Sequence, residues 1–140
     1  MAGTIIADTI EHSDSTSLAT NQLAAKNAAQ TFTAGQRGEI TTLTSASTVT
    51  PNFADSNNFT LTLDQSLTLA NPSNLTAGQS GSIFLVQDST GSRVVSWGSY
   101  WDWAGGTAPT LTTTANAVDR VDYIVRTTGS IHAVATLAYS

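Results

Sequence analysis

Ser96, His132 and several scattered aspartates are the residue types of a hydrolytic triad. In such a triad a histidine takes the proton of a serine nucleophile and a carboxylate orients the ring. The chain contains no G-x-S-x-G turn to expose the serine, and His132 falls within a strand-like run, where a surface or half-buried histidine is expected. His12 lies on a thin N-terminal segment, 120 residues away, and the two make a poor transition-metal pair. Cysteine is absent, which excludes disulfides, thiolate metal sites and thiol catalysis. Asp88 opens the turn DSTGS without the D-x-[DN]-x-[DN]-G pattern of a calcium loop, so its expected role is to initiate the turn through its own side chain. Neither a catalytic group, a metal site nor a cofactor is expected, and an enzyme is not the expected class.

WGSYWDW, residues 97–103, is the stretch most suggestive of binding. Trp97, Tyr100, Trp101 and Trp103 offer rings that stack on sugar faces, and Asp102 can accept sugar hydroxyls. Aromatic side chains also dominate cores and interfaces, because each buries roughly 150–250 Å². Closing one end of a β-domain or filling a subunit interface is therefore the other reading of the same residues. The eight residues TAGQRGEI (33–40) return as TAGQSGSI (76–83). A phosphate-binding loop needs a helix after it, so that a helix N-terminus meets the anion, whereas both copies run into β-like sequence. Nor does a third copy appear 43 residues further on, so the echo is read as one turn type used twice.

The elements that must carry these residues follow from composition and alternation. Charged residues are 11% of the 140, against about 25% in ordinary globular chains. Their place is taken by 24 Thr and 16 Ser, and threonine is β-branched and suits pleated surfaces. The net charge is −5 and the five basic residues are scattered, so no nucleic-acid footprint exists. No apolar run nears the ~20 residues that span a bilayer, so membrane insertion is not expected. The N-terminus also lacks the basic start and apolar core of a secretory signal.

Three zones separate. Residues 1–32 form an arm, with a strand through TIIADTIEH and a possible short helix within residues 13–32. Its apolar residues Ile5, Ile6, Ile10, Leu18 and Leu23 are too few to bury much alone, so they are the expected assembly contacts. Residues 33–140 form the β-domain. GEITTLT, FTLTL and LTL read as strands, with Asp64–Ser66 as a tight connection, and SIFLVQD reads as a strand covered on both faces. In the last two strands Val121, Tyr123 and Val125, then Ile131, Ala133, Ala135, Leu137 and Tyr139, make apolar faces joined by a TTGS hairpin. Alternation puts Arg120, Asp122 and Arg126 on the opposite face. Many short strands with frequent turns predict an all-β domain, an antiparallel sandwich or jelly-roll-like arrangement with an extended N-terminal arm.

Residues 70–134 resemble a β-domain of tailed-bacteriophage virion proteins, found in tail-fibre-like and head-associated chains. The likeness rests on L-x-A-G-Q-x-G, the G-S-R turn, the aromatic run ending in G-G-T-A-P and the A-V-D strand entry, with GTIIADTIEHSD resembling the start of phage structural proteins. The resemblance implies a non-enzymatic virion structural protein, usually trimeric. The chain departs from many tail fibres in having no long repetitive shaft. Two functions follow as expectations. One is a homotrimeric capsid decoration, or cement, protein that grips the major capsid protein through its arm and stabilises the head. The other is a short fibre or spike tip, attached through tail or adaptor proteins, that binds a host-surface glycan through residues 97–103. Either way the protein is made in the host cytoplasm and ends on the outer surface of the particle.

Overall fold

The computed structural model describes residues 9–11, 17–19 and 35–139. The chain divides into two compact units, residues 1–36 and 37–140, the division falling inside TAGQRGEI. In the first unit β1 (Thr9–Glu11) pairs antiparallel with β2 (Ser17–Ala19), placing Ile10 opposite Leu18. Leu18, within the span expected to hold a helix, is thus in a strand. β-Branched Thr16 before it and the short pairing with Thr9–Glu11 favour extended backbone there. Ile5, Ile6, Leu23 and the rest of the possible helix lie outside the described residues.

The second unit is all β, as its alternation predicts, but the strands do not run antiparallel throughout. β3 (Ile40–Leu43) and β4 (Thr48–Val49) form one coil, β5 (Asn58–Leu63) and β6 (Leu67–Leu69) a second, and β7 (Ser80–Gln87) and β8 (Val95–Trp97) a third. The long strands stack in parallel as β3-β5-β7, and the short ones as β4-β6-β8. β9 (Trp101–Trp103), a 3-10 turn at Ala104–Gly106, β10 (Val118–Thr127) and β11 (Ser130–Tyr139) follow. β10 lies antiparallel on β7, β11 antiparallel on β10, and β9 parallel on β11. The result is a mixed six-stranded sheet, β3-β5-β7-β10-β11-β9, and a three-stranded sheet, β4-β6-β8.

The antiparallel expectation failed because alternation specifies which face is buried and leaves strand direction open. Asp64–Ser66, short enough for a hairpin, makes a corner instead: Leu67 N–H donates to the Val94 carbonyl and Thr68 N–H to the Ser47 carbonyl, in the coils on either side. Ile40 stands opposite Asn58 and Asn58 opposite Ser82, so two coils span 42 residues, within one of the 43-residue echo. The individual steps are unequal, 18 residues from Ile40 to Asn58 and 24 from Asn58 to Ser82, which hides the period. Nor are the echoed segments the same turn. Gly78 is left-handed at φ 88°, while Gly35 does not enter that region.

The core lies between the two sheets. Phe59, Leu61, Leu63, Ile83, Leu85, Val121, Val125 and Ile131 are all at most 1% exposed, and each contributes roughly 1.5–3 kcal/mol by leaving water. Six of the ten aromatics form a continuous column through it, Phe59–Phe53–Tyr123–Trp101–Trp97–Trp103, with ring centroids 4.7–6.3 Å apart. β7 is buried on one face only: Ile83, Leu85 and Gln87 point inward, while Ser82, Phe84 and Val86 are half-buried on the other. β11 keeps Ile131 and Ala133 inside, but Leu137 and Tyr139 are each 41% exposed. A register shift causes the Tyr139 departure. Arg120 faces Thr136 whereas Val118 faces Tyr139, so one extra residue is accommodated near left-handed Ala138 (φ 62°) and Tyr139 turns to the opposite face.

Candidate functional site

The residue types of a triad lie on different sheets. Ser96 is in β8 and borders a shallow recess with Ser47, Ser66 and Thr68, while His132 stands exposed on β11 of the large sheet. Among the described residues no three His, Cys, Asp or Glu side chains gather as metal ligands. Asp88 takes the turn role expected of it. Its Oδ1 accepts the N–H groups of Thr90 (3.0 Å) and Gly91 (2.8 Å), and Arg93 donates to Oδ2 at 2.8 Å. The Arg93 guanidinium, more than the backbone donors, holds the carboxyl below the usual range.

The aromatic run is divided by its backbone. Trp101 is 5% exposed and donates Nε1–H to the Ala70 carbonyl at 3.3 Å. Trp97 and Trp103 stand edge-on to each other, and their buried indole N–H groups have no protein acceptor. Tyr100 is anchored through its backbone, its N–H donating to Asn71 and its carbonyl accepting from Ile131. Tyr123, absent from any sequence-level site, donates its hydroxyl to the Asn57 carbonyl at 2.8 Å, and burial pushes its phenol well above the ordinary range.

Ser99 is exposed and Trp97 and Tyr100 are half-buried, while exposed Asp102 and half-buried Trp103 border the large sheet's surface. Asp102 and Trp103 line a hollow of about 540 Å³ together with Asp122, Ile124, His132 and Val134. Strand register assembles it: Ile124 faces His132 and His132 faces Asp102 across three adjacent strands, with Asp122 facing Val134 beside them. Asp102 is held by Ser130 Oγ at 2.6 Å. The Asp122 carboxylate is committed on both oxygens, to Ser82 Oγ at 2.6 Å and to the Arg120 guanidinium at 2.9 Å. Arg120 in turn covers the Tyr139 ring at 5.6 Å. The hollow is one end of a broader surface, the outer face of the six-stranded sheet, on which Ile40, Ile124 and Val134 are 49–60% exposed. Sequence reasoning followed the single best apolar face of each strand and so passed over these residues. The available signal was apolar residues at both parities, Ile124 between Tyr123 and Val125 above all.

These features define a class: a β-rich structural domain with a column of six aromatics in its core and an open broad sheet face. Residues 49–130 match the family model described as "Putative phage tail fibre C-terminal domain", and the chain belongs to that family. It is a phage virion structural protein. No curated protein and no solved structure matches it.

Proposed function

We propose that the chain is a structural module of a phage tail fibre that assembles as a homotrimer on the virion. The family match carries this reading, since it runs from β4 to the first residue of β11 and so takes in most of the core and the whole aromatic column. Capsid decoration draws support only from the short N-terminal segment and the acidic composition. A glycan-binding tip that uses residues 97–103 as a stacking platform draws less support, because Trp101 is a core residue and Trp97 and Trp103 are packed against each other.

Antibody labelling of purified particles, with copy number from quantitative electrophoresis, tests the location. A few trimers at the tail are expected, and hundreds of copies over the head would overturn the fibre reading. Light scattering on the purified chain should give about three times the 14.5 kDa chain mass.

A further inference from the structure

We infer that the outer face of the six-stranded sheet is the surface through which one copy of this chain binds another. The inference names the contact surface for the assembly proposed above and rests on that reading only for the number of copies.

Three observations support self-contact. The first is the apolar content of the face. Ile124 (49% exposed), Val134 (60%) and Ile40 (52%) project from it, and half-buried Phe84 and Val86 continue the apolar content further along β7. Hydroxyls at Thr42, Thr60, Thr62 and Ser82 stand among them and can hydrogen-bond across a boundary without desolvating charge.

The second is charge. The chain carries −5, so two copies repel wherever their acidic surfaces meet. On this face Arg120 and Arg126 offset Asp102 and Asp122, and Asp122 is already neutralised by Arg120 at 2.9 Å. It is therefore a face where identical acidic molecules approach without a like-charge penalty.

The third is size. Six strands at ~4.8 Å spacing and about six residues at ~3.3 Å give a projected face of roughly 600 Å². Corrugation by side chains brings the accessible area near the ~800 Å² per partner of a stable interface. The hollow lined by Ile124 and Val134 adds relief to the surface.

The test is sedimentation velocity on the full chain across a micromolar concentration series. Ile124→Glu with Val134→Glu should weaken self-association by at least about a hundredfold, leaving a monomer with unchanged far-ultraviolet circular dichroism. Ile124→Ser with Val134→Ser is a milder pair, should the charged pair fail to fold, and should still weaken assembly about tenfold. Val94→Glu, at an exposed apolar residue (56%) outside the large sheet, should leave assembly intact. Wild-type assembly by either folded double variant would overturn the inference, as would a wild-type chain that stays monomeric. A monomer whose hollow binds soluble saccharides on an array would overturn it in favour of a receptor site. Relocation of the protein to the head would defeat the fibre reading and leave this result untouched.

Discussion

The two faces of the six-stranded sheet are made by the same strands and differ in nearly everything else. On the inner face Phe59, Ile83 and Val121 stand in one row across three strands, each 0% exposed. One residue along, the outer face shows Thr60, Phe84 and Arg120 in a row, all only half-buried. Period-2 alternation thus separates two tasks. The inner face holds the fully buried apolar residues of a single chain, and the outer face carries its exposed ones, Ile40, Ile124 and Val134.

The largest expected effect comes from breaking the inner face. Leu61→Ala removes a fully buried side chain between Phe59 and Leu63 and should cost about 2–5 kcal/mol, read as a lower urea midpoint. Gly81→Ala acts on the same face by overpacking. A Cβ there would overlap the Asn57 carbonyl and crowd the Tyr123 hydroxyl that donates to it, so about 1–3 kcal/mol should be lost.

Asp119 is the one carboxylate among the described residues on the buried side. It is 2% exposed, accepts Thr112 N–H at 2.7 Å and Ala138 N–H at 2.8 Å, and so ties the preceding loop and the end of β11 to β10. Asp119→Ala leaves both donors without partners and should cost about 1–3 kcal/mol, with faster amide exchange at those two positions.

Much of this division was legible in the sequence. The strands β3, β5, β6, β7, β10 and β11 were visible in the sequence, whereas β4, β8 and β9, two or three residues each, are too short to show a pattern. Val121, Tyr123 and Val125 are buried as their spacing requires. What alternation cannot carry is pairing direction, because the partner of each coil strand lies 18–28 residues away across loops of unequal length. The aromatic run was visible as a cluster, yet which rings turn inward depends on the parallel pairing of β9 with β11, and that is a long-range fact. The hollow was half legible: Asp102 was evident as a polar acceptor, while His132, Ile124 and Val134 reach it only through register.

Acidity probes the edge of the comparison, where β7 leaves the sheet. The Arg93 guanidinium lowers the Asp88 carboxyl pKa, so the ion pair contributes above the unfolded value, about 3.9, and is lost as pH falls through the folded value. Exchange of the Gly91 amide should therefore rise only below about pH 4, and Asp88→Asn should abolish that dependence. Tyr123 has the opposite sign. Its raised phenol favours the neutral folded state until pH rises past the unfolded value of about 10, after which stability declines.

The smallest expected effect on the single chain is the one that sharpens the comparison most. Ile124 lies between Tyr123 and Val125, which are 4% and 1% exposed, yet is itself 49% exposed. Its side chain lies over the outer face, away from the aromatic column, so Ile124→Ser removes almost no buried contact within one chain. In urea unfolding of a dilute, monomeric sample the change should stay within about 0.5 kcal/mol. Tyr123→Ala, one residue away, should cost about 3–5 kcal/mol under the same conditions. If the outer face is used between chains, the Ile124→Ser penalty should grow with protein concentration, because assembly adds to the stability of the folded state by mass action. A penalty equally large at every concentration would mean that Ile124 is packed within the monomer, and the two faces would not divide their tasks as their exposure indicates.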